Sequence, residues 1–472
     1  MTRRPSPWPS RWPVVSLLLA ACGAPTAPRP AAAPAVVATA EAAPALAYTL
    51  ASSLSTEVGP RLAGSPNDAR AVAWAVRTLA GLGFTSVRTE PVSVPVWRRV
   101  RERATLTAGG VTAPLAITAL GWSVSGDAAA DVVEVGEPAS MAALPEGSLR
   151  GKIVFCNVHT DRAADGAGYG RAVGVRAGCP REAEARGALA ALVRSVGTDA
   201  TDAPHTGSMR QHGAKIPGVA LSAVAADRLH VALLAGRASV SLSVVTEAGP
   251  DATSANVVAE VRGTRAPGEI VVVGAHLDAW DLGRGAVDDG AGVGVVIAAA
   301  RAFLRAPPER TLRVVLFAAE ENSLAGAKAY AAAHAGELER HVAALELDAG
   351  TGRVLELRAR AGEPVALPAV PGVVSSREPA EGGADLIPLR AAGVPVLDAR
   401  QDMSTYFDVH HTARDTPDQL REPDLAQATA AVVALLRFAT ASSTLLARIP
   451  AEERARPSHE TLRPPTPTMR SR

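Results

Sequence analysis

Three things are scarce in this chain: net charge, lysine and cysteine. The 48 Lys and Arg residues face 47 Asp and Glu, a net charge of +1 at pH 7. No cationic excess exists to hold nucleic acid or an anionic membrane surface, and neither is expected as a partner. Lysine occurs only as Lys152, Lys215 and Lys328; every other basic side chain is Arg, a compositional bias to which no function is attached. Cysteine occurs only as Cys22, Cys156 and Cys179, with no Cys-x-x-Cys pair, which excludes the paired-thiolate zinc pattern. The apolar stretch Val14–Ala21 holds eight residues, too few to span a bilayer.

That stretch has the length of a signal-peptide core, and Arg3, Arg4 and Arg11 supply the basic start. It closes in Leu19-Ala20-Ala21-Cys22, which resembles the lipobox of bacterial lipoproteins. The resemblance implies a signal peptide over 1–22 and a membrane anchor through a lipid on Cys22. It also implies export, to the periplasmic face of a bacterial membrane or beyond the cell. Residues 23–44 are rich in Ala and Pro and read as a tether, while the Pro-rich, charged segment 447–472 reads as a disordered tail. With Cys22 used by the anchor, Cys156 and Cys179 form an even pair in an exported chain. One disulfide or two separate buried thiols follow.

Chemistry concentrates between Glu269 and Glu321. Ile270–Val273 and Leu312–Phe317 are short Val- and Leu-rich runs of the kind buried in a parallel sheet. Gly290–Leu304 between them has the small and apolar residues of a helix, stopped by Pro307. The pattern predicts a β-α-β unit, hence an α/β fold with a mostly parallel central sheet flanked by helices. Ligands of such sheets bind beyond the carboxyl ends of the strands. His276, Asp278, Asp288, Glu320, Glu321, Asp348 and His411 all fall at strand or helix ends. Packed together without cations, five carboxylates would repel one another, and divalent metals remove that cost. Imidazole and carboxylate together suit zinc. The glycines of 283–294 do not make a dinucleotide loop: G-x-G-x-x-G does not follow the strand, and two acids among them would repel phosphate.

H-L-D at 276–278, V-D-D-G at 287–290, A-E-E-N at 319–322, L-D-A-G at 347–350 and H-H-T-A-R-D-T at 410–416 resemble the co-catalytic di-zinc exopeptidases. That group includes leucyl aminopeptidases, glutamate carboxypeptidase and carboxypeptidase Q. With G-P-R-L-A-G-S at 59–65, the resemblance points most to the carboxypeptidase Q branch. It implies two Zn2+: His276 and Asp348 on one, Glu321 and His411 on the other, and Asp288 bridging. Asp278 would orient its neighbour, and Glu320 would serve as general base and then acid to a hydroxide held between the metals. His410 would donate to the oxyanion or act structurally, and Asp289 would cap the helix. The expected activity is cleavage of dipeptides or short peptides from one end. An aminopeptidase, a glutaminyl cyclase-like relative and a non-catalytic receptor-like relative are the alternatives, and a homodimer is left open.

The same resemblance divides the chain. Residues 45–105 and 246–446 would form the peptidase domain, and 106–245 an inserted α/β domain similar to the protease-associated module. G-K-I-V at 151–154, A-A-L-V at 190–193 and Ile216-Pro217 before a Ser-led helix carry that likeness. His205 lies in a loop of this module, where it faces either the substrate or solvent; a solvent-facing loop residue is the expectation.

Overall fold

The computed structural model describes residues 44–209 and 213–454. The signal segment with Cys22, the tether up to residue 43 and the tail beyond 454 lie outside the described residues. Among those described, no helix is long and apolar enough to cross a membrane.

A mixed sheet runs through the molecule. At its centre Ala266–His276 lies between Arg310–Phe317 and His341–Glu346, parallel to both; Val396–Gln401 continues the parallel set beyond His341–Glu346. Val354–Arg360 adds to the far edge antiparallel. Alternate residues of the central strands serve two cores. Val271, Val273, Leu312, Val314 and Leu316 pack with one face, while Ile270, Val272, Val315 and Phe317 pack with the other. Every residue of Arg310–Phe317 is buried, as a strand covered on both faces requires. Each such buried Val, Leu or Phe contributes about 1.5–3 kcal/mol.

The expected crossover helix is Ala291–Arg301, and residues 291–300 are buried on all sides. It needs an apolar surface all round because helices Pro44–Ser53 and Glu422–Thr440 cover what the sheet does not. At Gly294 a Cβ would stand 2.3 Å from the Ala47 carbonyl oxygen, so only glycine permits the contact with the first helix.

Two long strands join this body to a second layer. Arg88–Ala108 pairs antiparallel with Ala238–Val261 from Arg88 opposite Val258 to Ala108 opposite Ala238. The ribbon spans residues 105 and 246, where the composition changes, with register shifts at Val94–Val96 and Arg99–Arg101. On it Gly126–Val135, Ile153–Cys156, Ala190–Arg194 and Gly218–Leu221 stack parallel, with Ile117–Ala119 antiparallel at the edge. Helix Ala223–Ala235 begins at Ser222, whose hydroxyl accepts from Ala225 N–H. Cys156 is disulfide-bonded to Cys179, tying a strand of this layer to helix Val175–Ala185.

The expectation of disorder from residue 447 onward is corrected for 447–454. Ile449 is fully buried in the second core, and Arg448 donates to the carbonyls of Leu338 and Ala392 at 3.0 and 2.7 Å. One apolar anchor and one guanidinium dock a segment whose prolines and charges suggest a free chain.

Candidate metal centre

Four pieces of chain converge at the carboxyl edge of the parallel strands. The first follows strand Ala266–His276. Arg61, itself fully buried, braces it by donating to the carbonyls of Leu277, Arg284 and Gly285 at 2.6–2.8 Å. Gly285 has φ +58, and a Cβ there would stand 2.4 Å from the Arg61 guanidinium, so the close approach needs glycine. Asp415 fixes the next turn by accepting N–H groups from Ala286, Val287 and Asp288 at 2.7–3.2 Å. The Asp288–Asp289 peptide is cis. Asp289 faces inward, accepting from His276 N–H and from Gly292 N–H at the start of the helix, in the expected cap position.

The second piece follows Arg310–Phe317. Ala319 takes the left-handed conformation, φ +57, which breaks the strand's alternation and starts the turn Glu320–Ser323. Asn256 holds this bend, accepting from Ala318 N–H at 3.0 Å and donating to Gly326 C=O at 2.9 Å. Glu321 is consequently buried, and Glu320 is only half-buried. The third piece is Asp348, two residues past His341–Glu346. The fourth is the 406–415 loop with His410 and His411.

All eight expected residues meet here. His276 Nε2 lies 3.1 Å from Asp288 Oδ1 and 3.6 Å from Asp348 Oδ1. His411 Nε2 lies 3.1 Å from Asp288 Oδ2 and 2.9 Å from Glu321 Oε2. Asp288 thus offers one oxygen to each half of the cluster. Asp278 stands behind His276, Oδ1 to Nδ1 at 3.7 Å, and accepts the Glu320 N–H at 3.0 Å. His410 stacks on His411 with ring centres 3.5 Å apart, its Nε2 3.5 Å from Asp288 Oδ2.

The donor set fits zinc. A tetrahedral ion with ligands at about 2.0–2.2 Å separates neighbouring ligand atoms by about 3.3–3.6 Å, close to the spacings above. Among the described residues, three groups hold ligand atoms within 4.8 Å of one another: Asp288, His410 and His411; His276, Asp289 and Asp348; and His276, Asp288 and Glu321. Glu321 Oε1, Asp278 Oδ2 and His410 Nδ1 are buried without a hydrogen-bond partner, an arrangement that favours a cation. Burial, reinforced by Asp348 and Glu321 against the pull of His276, pushes the Glu320 carboxyl well above its ordinary range. Burial likewise raises Glu321 to about 7. Burial would lower His411, but Glu321 and Asp288 raise it to about 9. Protons thus compensate charge among crowded acids, the role open to divalent ions.

Several contributors were not singled out from sequence. Tyr406 is buried with its hydroxyl donating to Asp348 Oδ1 at 3.4 Å. Asp415 and Arg61 both stand in stretches quoted for the resemblance, H-H-T-A-R-D-T and G-P-R-L-A-G-S, which was the available signal; Asn256 had none. His205 corrects an expectation. It is fully buried, with Nδ1 2.7 Å from the His410 carbonyl oxygen and Nε2 2.8 Å from Asp199 Oδ1. The loop carrying it is closed over by the 406–415 loop, a long-range contact invisible in local composition.

Comparison with known proteins agrees with this geometry. Peptidase family M28 matches residues 256–436. Carboxypeptidase Q of Bos taurus is 33% identical over 399 residues, covering 81% of this chain and 83% of its own. The human carboxypeptidase Q is 33% identical over the same length and shares of the chains. Among solved structures, a peptidase M28 precursor from Shewanella amazonensis SB2B is similar with a TM-score of 0.82 at 40% identity, covering 86% of this chain and 95% of its own. The zinc aminopeptidase BSAP of Bacillus subtilis shares the fold, with a TM-score of 0.62 at 21% identity over 86% of this chain and 98% of its own. With the relatives matched over four-fifths of the chain and the zinc-type donor set assembled at its sheet edge, this protein belongs to peptidase family M28 and is a hydrolase of the metallo-exopeptidase class.

Proposed function

We propose that the chain is a carboxypeptidase Q-like metallodipeptidase that cleaves dipeptides or short peptides with two zinc ions. His276 and Asp348 would hold one ion, Glu321 and His411 the other, and Asp288 would serve both. The observation that carries this reading is the placing of the two Asp288 oxygens, each 3.1 Å from a different imidazole. Zinc, when bound, polarises the scissile carbonyl and acidifies water. Glu320 takes the proton from the attacking water and passes it to the amine as the C–N bond breaks. Its half-buried position leaves it open to water and to substrate, as a base must be. Asp278 keeps the His276 ring turned toward Asp288, its backbone carbonyl accepting from Nδ1 at 3.2 Å with the carboxylate behind it at 3.7 Å. His410, beside Asp288, donates toward the oxyanion. We take residues 106–245 as the inserted module, and we place the enzyme outside the cytoplasm on a lipid at Cys22.

The test is hydrolysis of free, amino-blocked and carboxyl-blocked dipeptides by protein loaded with zinc, alongside elemental analysis. Cleavage of free dipeptides that fails with a carboxyl block, with about two metals per chain, is the expected result, and survival of an amino block extends the activity to a carboxypeptidase. Cleavage that requires only a free amine makes it an aminopeptidase. One metal with ammonia released from amino-terminal Gln makes it a cyclase.

A further inference from the structure

The second layer of the molecule touches the metal-ligand loop at its most constrained point. His411 has φ +62, a conformation that non-glycine residues avoid and that surrounding contacts must hold. Those contacts come from residues 205 and 206. His205 Nδ1 lies 2.7 Å from the His410 carbonyl oxygen; since a carbonyl only accepts, Nδ1 carries the proton and donates. Thr206 N–H donates to the His411 carbonyl at 3.0 Å. The Thr206 carbonyl lies 3.4 Å from His411 Nδ1, opposite the Nε2 that faces Glu321 and Asp288. Both carbonyls and the ring of the pair 410–411 are thus held by two consecutive residues of another loop.

That loop is itself built to stay put. Asp199 Oδ1 lies 2.8 Å from His205 Nε2; a carboxylate also only accepts, so both ring nitrogens donate and His205 forms an ion pair with Asp199, whose other oxygen accepts Thr201 N–H at 3.1 Å. Ser195 Oγ accepts the His205 N–H at 2.8 Å while donating to Leu221 C=O. At Gly197 a Cβ would stand 2.3 Å from the His205 ring, so the imidazole occupies space that only glycine leaves. Thr198 N–H donates to Phe407 C=O at 3.0 Å, and Arg162 and Thr198 both bond the Asp408 carboxylate, extending the grip along the loop.

Resting on the two-zinc reading above, we propose that Asp199 and His205 are positioning residues of the metal centre: they hold the His410–His411 backbone so that His411 Nε2 meets Glu321 and Asp288. The inserted layer then sets the affinity of one metal position, the one using Glu321 and His411, and leaves that of His276 and Asp348 alone. Groups that orient a ligand histidine commonly carry a 10–100-fold effect on metal affinity.

The experiment titrates zinc onto the full chain against a competing chelator. Wild type should show two binding steps. His205→Ala should weaken one step by about 10–100-fold and leave the other in place. Its turnover should recover in excess zinc, with KM unchanged. His205→Asn, whose amide N–H can still reach the His410 carbonyl, should recover part of the lost affinity. Asp199→Asn keeps the imidazole and the packing and should show a smaller shift of the same step, which covers the case of a His205 variant that fails to fold. A lower melting temperature with both zinc steps at wild-type affinity would make the pair merely structural and overturn the proposal. Equal weakening of both steps would overturn it as well. A wild type that takes up a single zinc would remove the two-zinc reading, and this proposal with it; two wild-type steps unchanged in every variant would remove this proposal alone.

Discussion

Glu321 Oε2 lies 2.9 Å from His411 Nε2, joining the turn after one parallel strand to the loop near the end of the sheet. Its chain neighbour Glu320 is half-buried, and the left-handed turn at Ala319 breaks the alternation that would put the two side chains on opposite faces. The two identical side chains still hold different posts. Glu320→Gln keeps the shape and removes the base, so turnover should fall by about 10²–10⁴ with both metals retained. Glu321→Gln should weaken or lose one metal and be partly rescued by added zinc. Metal content and turnover measured side by side decide the matter; metal loss in Glu320→Gln with unchanged metals in Glu321→Gln reverses the roles.

Arg61 is a buried cation whose work is done through backbone carbonyls. Arg61→Met leaves the carbonyls of Leu277, Arg284 and Gly285 without their donor, and the expected loss is about 3–5 kcal/mol in chemical denaturation. Arg61→Lys should recover little of it, because an ammonium lacks the planar fork that spans three acceptors. A full recovery with Lys would show that the charge, and not the fork, matters.

Glu337, remote from the metal centre, should give an acid limb to stability. Burial would raise its carboxyl, but Arg313 and His334 hold it at about 2, against 4.5 in the ordinary case. A depressed folded value means the unfolded state binds the proton more readily. The stabilisation is therefore present above about pH 4.5 and fades as pH falls toward 2. The side chain keeps 19% of its surface in water, so screening trims the effect to about 1–2 kcal/mol. Urea denaturation of Glu337→Gln against wild type should show that gap at pH 7 and its disappearance near pH 2. A constant gap across this range would count against the ion pair as its source.

Cys22→Ser should release the protein from the membrane fraction with peptidase activity intact, as fractionation of cells expressing each form would show. Wild-type protein found wholly soluble outside the cytoplasm would refute the lipid anchor.

The amino-acid sequence by itself determined the β-α-β unit and the acids and imidazoles that meet at its carboxyl edge. Apolar runs ending in acid or imidazole are local patterns, and a strand that ends at Phe317 or His276 delivers its next side chains to the carboxyl edge of the sheet wherever that strand sits. Helix Ala223–Ala235 was legible for the same reason, its cap and its apolar residues lying within one stretch of chain. Long-range pairing was not legible. The ribbon Arg88–Ala108 with Ala238–Val261 joins strands far apart in sequence, and neither composition nor period says where such pairing stops. His205 reads as a solvent-facing loop residue until the 406–415 loop covers it, and Ile449 as part of a free tail until it enters the core. Asn256, Asp415 and Arg61 act on backbone groups of other segments, so their partners exist only once the chain has closed. Periodicity and ligand type are properties of the local chain; burial and hydrogen-bond partnership belong to pairs of segments, and the tertiary structure alone brings those pairs together.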